Sequence, residues 1–286
     1  MSTVEMIPAV GPGTTAGAGR AAGRPDVLAA VSGLTALVVL IGVAWRLTRY
    51  WLRFPIWGDE AMLLVNYVGR DYLTIIGPLE HCQVAPLLVH WAELTAIRWL
   101  GTSELAVRLP PLLASLASLA LFWRLARLTL GPLGRRFAVA ILAVSIWPAT
   151  LGSLVKPYTF DLFFAIALLL AAVTVRRRPG RLWPLLVLAA LTPVAVTASY
   201  PAVFVAGAAG LALLPVIWRR PAAHRAAYVL FAAALVGTFA FHHLVVAKAQ
   251  LAAPTRGVTT GEEMRDYWSH GFPPSEPLAL LAWLVL

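Results

Sequence analysis

The fold is decided first by residues 27–47, which read VLAAVSGLTALVVLIGVAWRL. A helix that crosses a bilayer needs about 20 mostly apolar residues, and this stretch has that length. It is too long for the apolar part of a typical cleavable signal peptide and is not followed by an obvious small-residue cleavage site. We therefore expect a first membrane span here. Residues 1–26, rich in Gly, Ala, Thr and Pro, are expected to form a disordered cytoplasmic tail before it.

The composition extends this interpretation to the whole chain. Hydrophobic residues make up 60% of the 286 residues and charged residues 13%, with a positive mean hydropathy, which is far more apolar than a soluble domain. The net charge of +10 is spread in small groups between apolar spans, so a nucleic-acid partner is not expected and the lipid bilayer is. The single cysteine, Cys82, excludes an internal disulfide.

Apolar stretches of similar kind recur along the chain and predict an all-α, polytopic transmembrane helix bundle. Further spans are expected at 104–126, 137–155, 159–175, 183–198, 202–217 and 226–247, and an eighth begins at Pro277. The last apolar run has only about ten residues, too few to cross a bilayer. We therefore expect one transmembrane domain over residues 27–286 whose C-terminal part is missing.

The distribution of charge predicts the orientation through the positive-inside rule. Three loops carry eleven arginines and no acid, and they are expected to be cytoplasmic: Arg124, Arg127, Arg135, Arg136, Arg176, Arg177, Arg178, Arg181, Arg219, Arg220 and Arg225. Eleven of the thirteen acids fall in or beside the intervening segments 50–104, 156–161 and 248–277, which alternation places outside. Arg46, Arg49 and Arg53 break the rule at the outer end of the first span, and we expect them to snorkel to lipid phosphates.

The first outer loop, about residues 50–103, is too long to be a mere connection. Its stretches 61–76 and 86–100 are apolar but interrupted by polar residues, which is typical of helices that lie in the membrane interface. Such helices are placed to form the wall of a site at the lipid surface.

Acidic residues open this loop, at Trp57–Glu60 (WGDE), and Glu80, His81 and Gln83 close it. A carboxylate at a membrane face can act as a general base when its surroundings tune its pKa towards the working pH. The alternative is a solvated loop that carries ordinary charges.

A second group of candidate residues is Lys156–Tyr158 (KPY), where the third predicted span emerges outside. Lys156 could neutralise the phosphate of a lipid-linked substrate, with the Tyr158 hydroxyl as a further donor. The alternative is a pair of interfacial anchoring residues.

From Trp57 through Leu170 the chain resembles the polytopic glycosyltransferases of the GT-C superfamily, specifically the family 39 or protein mannosyltransferase-like group. The resemblance rests on three stretches in order: Trp57–Glu60, Ser103–Pro110 (SELAVRLP) and Lys156–Tyr158. It implies an enzyme that takes a sugar from a polyprenyl-phosphate carrier and delivers it to an acceptor on the outer face, usually with inversion.

The same resemblance implies roles for individual residues. Asp59 falls on the catalytic aspartate of that family, and Lys156 is the natural counter-charge for the phosphate. Glu60, Glu80 and His81 would shape the pocket, hold the acceptor or bind a divalent cation, and Asp59 with Glu60 would be the metal ligands if there is one. The acceptor is left open among a protein, a lipid and a glycan.

The alternative function is a non-catalytic polytopic membrane protein, such as a lipid or solute transporter or a degenerate scaffold. The two halves of the chain carry no matching loop patterns of the kind that repeat-built transporters have. The richness in Ala, Arg and Gly fits a bacterial inner (plasma) membrane.

Overall fold

The computed structural model describes residues 24–56 and 58–252. No strand occurs within these ranges, so the predicted all-α class is confirmed. The helices are α1 (Arg24–Trp51), α2 (Asp59–Leu64), α3 (Leu87–Leu100), α4 (Glu104–Thr129), α5 (Pro132–Val144), α6 (Ile146–Leu151), α7 (Tyr158–Arg177), α8 (Trp183–Ala198), α9 (Ala202–Trp218), α10 (Ala222–Phe241) and α11 (Lys248–Leu251).

Two predictions fall mostly on residues outside these ranges. The expected tail is among them except for residues 24–26, which open α1. The expected eighth span, from Pro277, lies entirely outside the described residues, as does Trp57.

Four helical stretches are long and apolar enough to cross a membrane: Gly33–Trp51, Glu104–Thr129, Tyr158–Arg177 and Ala222–Gln250. The shorter helices α8 and α9 are also apolar, and residues 199–201 form the turn between them. In the described part of the chain the prediction of a polytopic helix bundle is therefore confirmed.

The bundle has two ends, which differ in charge. We call the end with residues 52–103 the loop end. We call the end with the turns 130–131, 178–182 and 219–221 the arginine end. Helices α4 and α7 both start at the loop end, run towards the arginine end and pack along each other. Between them in the sequence, α5 and α6 lead the chain back to the loop end. The remaining helices alternate in direction. The turn after α8 lies at the loop end, because the Tyr200 hydroxyl donates to the Ala85 carbonyl there.

The main core of the bundle lies among α7, α8, α9 and α10. It is built from Leu168, Leu188, Ala206, Phe231 and their neighbours, all buried. Alanines on α9 let adjacent helices approach closely, which is the usual means of packing helices in a membrane. A second core, with Leu63, Ile75, Leu79 and Leu94 at its centre, holds the loop end together.

The predicted single span at 137–155 is wrong, because two helices form there. Ser145, between α5 and α6, has an extended backbone with φ −62° and ψ 126°. Pro148 explains the break, since its ring would clash with the Val144 carbonyl in a continuous helix. In the first turn of α6 that proline is tolerated.

The predicted helix at 61–76 is also wrong. After α2 the chain makes only short 3₁₀ turns at Val65–Tyr67 and Thr74–Ile76. Gly69 has φ +70°, outside the helical region, and the Asp71 carboxylate accepts the Thr74 backbone N–H to start a new turn. The second expected loop helix, 86–100, is confirmed as α3.

Arg46 is buried instead of snorkelling, so that prediction is wrong for this residue. Its guanidinium donates to the carbonyls of Gly42, Leu142 and Ala143 and to the Ser115 hydroxyl, at 2.7 to 3.2 Å. The carbonyls of Leu142 and Ala143 belong to the last turn of α5 and have no partner within that helix. Arg46 therefore caps α5 and joins it to α1.

Gly42 makes this junction possible. A Cβ at this position would collide with the backbone carbonyl of Ala143. In contrast, a Cβ at Gly33, on the same helix, would meet nothing within 4 Å.

We expect Gly42→Ala to lower the stability of the bundle by about 1–3 kcal/mol, because overpacking separates α1 from α5 and weakens the Arg46 cap. The apparent melting temperature of the detergent-solubilised protein measures this. Gly33→Ala is the matched control and should change it little. Equal effects of the two substitutions would contradict the proposed role of the α1–α5 contact.

Candidate functional site

The predicted acidic residues open helix α2, directly after Gly58. This glycine has φ +53°, a conformation that favours glycine, and it turns the chain into the helix. Adjacent helical residues project about 100° apart, so Asp59 and Glu60 enter different surroundings. The side chain of Asp59 is 70% exposed, whereas that of Glu60 is 6% exposed.

Glu60 joins three segments of the chain. Its Oε2 lies 3.2 Å from Nη2 of Arg108 on α4, and its Oε1 accepts the backbone N–H of Val155 at 2.8 Å. Arg108 in turn donates from Nη1 to the Phe54 carbonyl at 2.6 Å. We call Glu60, Arg108 and the Val155 amide the buried clamp. It fixes the start of α2 against α4 and against the segment that leads into α7.

The clamp also positions Lys156, because Lys156 directly follows Val155. Lys156 Nζ lies 3.4 Å from Asp59 Oδ2 and donates to Gln83 Oε1 at 3.2 Å. The lysine is mostly buried, while the Asp59 carboxylate is open to solvent. Residues 59, 83 and 156, far apart in the sequence, thus form a single polar site at the loop end.

The segment that carries Gln83 is held by Gln250 on α11. The Gln250 side chain pairs with both backbone groups of Ala85, accepting its N–H at 3.2 Å and donating to its carbonyl at 3.0 Å. The Gln250 carbonyl also accepts the Leu79 N–H. Helix α11 therefore fixes the chain on both sides of residues 80–83.

The other predicted site residues lie at the edge of this cluster. Glu80 is exposed, with its backbone N–H bound to Asn66 Oδ1 at 2.6 Å. His81 has φ +57° and is half-buried, and its carbonyl accepts from Gln83 Nε2. Tyr158, the first residue of α7, is 48% exposed.

The acids of the site do not gather into a recognisable metal centre. Within residues 24–56 and 58–252, no group of three or more His, Cys, Asp or Glu side chains could hold a metal ion. Both carboxylate oxygens of Glu60 are already engaged by Arg108 and Val155.

Comparison with known protein families identifies the family of this chain. Residues 84–242, more than half of the chain, match the family described as dolichyl-phosphate-mannose-protein mannosyltransferase. The chain belongs to this mannosyltransferase family. No curated protein and no solved structure matches it.

The predicted family is thereby confirmed, and with it the broad class of a multi-pass membrane glycosyltransferase. The matched residues of this mannosyltransferase-family protein include Arg108, Lys156 and Tyr158. Asp59 and Glu60 precede the match, so their link to the matched part is the contact geometry of the loop end.

Arg108 was not among the predicted site residues, although it lies in the stretch Ser103–Pro110. A charged residue inside a membrane helix needs a polar or charged partner, and that requirement was the available signal. Gln250 was also missed, since a single glutamine at a helix end has no pattern that distinguishes it.

Glu93 on α3 was missed as well. It is fully buried, and neither of its carboxylate oxygens has a hydrogen-bond partner within the described residues. Burial, and then the nearby charge of Glu60, raise the pKa of Glu93 well above its usual value. Both causes favour the neutral form of Glu93, next to the charged clamp.

We expect Glu60→Gln or Arg108→Met alone to destabilise this mannosyltransferase-family protein by about 3–5 kcal/mol, because each leaves a buried charge without its partner. The double variant should lose much less than the sum of the two. A double-mutant cycle on apparent unfolding free energies or melting temperatures measures the coupling. Additive effects would mean that the clamp does not act as a unit.

Glu93→Gln is the matched control for this cycle, since it also replaces a buried glutamate with glutamine but leaves the Glu60–Arg108 pair intact, so it should not cause this loss. A raised pKa in the folded protein makes stability fall as pH rises from the usual carboxyl pKa towards the folded one, because the folded state holds the proton more tightly than the unfolded state. From about pH 5 upward the parent should therefore lose stability as pH rises, and Glu93→Gln should lose less.

Proposed function

We propose that the protein transfers a sugar from a polyprenyl-phosphate carrier to an acceptor hydroxyl at the loop end, with Asp59 as general base. The observation that carries this proposal is the contact between the exposed Asp59 carboxylate and the mostly buried Lys156 ammonium, 3.4 Å apart. A base must be open to the acceptor, whereas a phosphate-binding cation gains strength when it is withdrawn from water. Asp59 is exposed and Lys156 is mostly buried, as these two roles require.

The family membership and the shape of the loop end support a lipid-linked donor. A cavity of about 620 Å³ lies beside α2, lined by mostly apolar side chains that include Ala61, Leu64, Leu94 and Val107. Its lining begins at Ala61 and includes neither Asp59 nor Lys156. This cavity would take isoprene units of the carrier that lie beyond the phosphate.

The donor phosphate would change the partner of Lys156. In the structure its ammonium lies between Asp59 and Gln83. A phosphate oxygen that binds Lys156 releases the Asp59 carboxylate from its counter-ion, which leaves the carboxylate oxygens open to the acceptor hydroxyl. Donor binding would thus prepare the base, and Gln83 would keep the ammonium in place.

The transfer step then follows. Asp59 takes the proton of the acceptor hydroxyl as the acceptor oxygen forms a bond to the anomeric carbon. The bond from that carbon to the phosphate oxygen breaks, its electron pair stays on the phosphate, and polyprenyl phosphate departs. Attack opposite to the leaving phosphate inverts the anomeric centre, through an oxocarbenium-like transition state. Lys156 neutralises the charge that develops on the phosphate.

We also propose the sidedness of this reaction and the organisation of the chain. The arginine end would be cytoplasmic and the loop end extracytoplasmic, in a plasma (inner) membrane, with the N-terminus inside. Residues 1–26 would be a cytoplasmic tail, and residues 27–286 would belong to one transmembrane domain. The acceptor would be a protein, lipid or glycan hydroxyl that reaches the outer face.

We expect Asp59→Asn to reduce sugar transfer by about 10²- to 10⁴-fold, the usual contribution of a general base, without loss of folded protein. Membranes that contain the protein would be supplied with polyprenyl-phosphate mannose, glucose, galactose and arabinose. The readouts are label incorporated into acceptor material and polyprenyl phosphate released. Glu104→Gln, another acid at the loop end but outside the site, is the matched control. Full activity of Asp59→Asn would overturn the mechanism.

Labelling tests the sidedness separately. In a Cys82→Ser background, Leu73→Cys places a thiol at the exposed loop end, and Gly180→Cys places one at the exposed arginine end. In intact cells a membrane-impermeant maleimide should label only the first, and the second only after permeabilisation. The reverse pattern would put the site on the cytoplasmic side.

A further inference from the structure

A cavity of about 600 Å³ lies at the arginine end, far from the site described above. The last turns of α4 and α7 and the start of α8 form its walls. Its lining includes four arginines, together with Thr174 and the indole of Trp183: Arg124, Arg127, Arg177 and Arg178. Four arginines therefore line one space.

Within residues 24–56 and 58–252, none of these arginines forms an ion pair with a carboxylate. The two ion pairs found within the described residues, Glu60–Arg108 and Asp59–Lys156, both lie at the loop end. The positive-inside rule accounts for arginines at this end of the bundle. It does not require four of them to converge on one cavity, where like charges repel each other unless an anion enters.

The position of the cavity identifies the kind of anion. Helix α4 has 26 residues, about 39 Å at 1.5 Å per residue, which exceeds a hydrocarbon core of about 30 Å. The ends of α4 and α7 therefore reach the level of the lipid headgroups. Arg108 lies near the start of α4 and Arg124 near its end, so the two sites lie at opposite ends of this helix.

The lining fits an amphiphile. Guanidinium groups bind phosphate oxygens through paired N–H donors. Trp183 is 45% exposed, and Leu128 adds apolar surface beside the arginines. Exposed tryptophans are typical of the boundary between headgroups and acyl chains. A free phosphate would use only the arginines, whereas a phospholipid would use both kinds of surface.

We propose that the cavity formed by Arg124, Arg127, Arg177, Arg178 and Trp183 is a binding site for the phosphate headgroup of an anionic phospholipid. Basic pockets between membrane helices bind such headgroups. The bound lipid would bridge the ends of α4 and α7, whose other ends carry Arg108 and adjoin Lys156.

The test is native mass spectrometry of the whole protein in detergent, titrated with phosphatidylglycerol, cardiolipin or phosphatidylcholine. The anionic lipids should be retained in preference to phosphatidylcholine. Arg127→Gln/Arg177→Gln should weaken retention by about 30-fold, since each basic residue near an anionic surface contributes about fivefold. Arg127→Lys/Arg177→Lys keeps the charge and should keep most of the binding.

The matched control is Arg219→Gln/Arg220→Gln, which removes two charges from the same end but outside the cavity. It should change retention less than twofold. Equal losses in the two Gln pairs, or no preference over phosphatidylcholine, would overturn the site. If millimolar inorganic phosphate displaces the lipid completely, the cavity binds free phosphate compounds and the lipid assignment is wrong.

Discussion

The loop end depends on the buried clamp between Glu60 and Arg108. A carboxylate and a guanidinium that are both withdrawn from water must satisfy each other, and here the Val155 amide and the Phe54 carbonyl complete the hydrogen bonds. These four groups come from the first loop, from α4 and from the segment before α7. The clamp therefore sets the geometry of three parts of the chain through one charge pair.

This constraint explains how two adjacent acids can have different roles. Glu60 is held on the buried side of α2 and is fully engaged, so it is free neither to accept a proton from a substrate nor to bind a metal ion. Asp59, one residue earlier, remains exposed and contacts Lys156. Lys156 is itself fixed because it follows Val155. Thus the buried pair positions the exposed pair, in the way that a rigid scaffold supports a catalytic site.

Much of this architecture could be predicted from the sequence. Apolar length and arginine-rich loops are local signals, so the helices and their alternation followed from them. The WGDE and KPY stretches likewise identified Asp59 and Lys156. The pairing of Glu60 with Arg108, and the support of Ala85 by Gln250, could not be predicted, because each joins residues that are distant in sequence.

Where prediction failed, the reason was tertiary or stereochemical. Arg46 looked like a surface cation at a helix end, but the unpaired carbonyls of α5 offer it a buried site, which only the packing of α1 on α5 creates. The span at 137–155 was apolar throughout, yet Pro148 breaks it. Hydropathy measures the preference for lipid and carries no information on the continuity of a helix.

The two ends of the bundle differ in whether their cations contact carboxylates. At the loop end the buried Arg108 and the mostly buried Lys156 each contact an acid of α2, so these two charge pairs are balanced before a substrate arrives. At the arginine end the cations have no carboxylate partner among the described residues. Helices α4 and α7 connect the two ends.

A neutral site suits a donor whose phosphate must arrive and then leave, because strong binding of both substrate and product would slow turnover. An unbalanced cluster suits a permanent lipid partner, since nothing there has to be released.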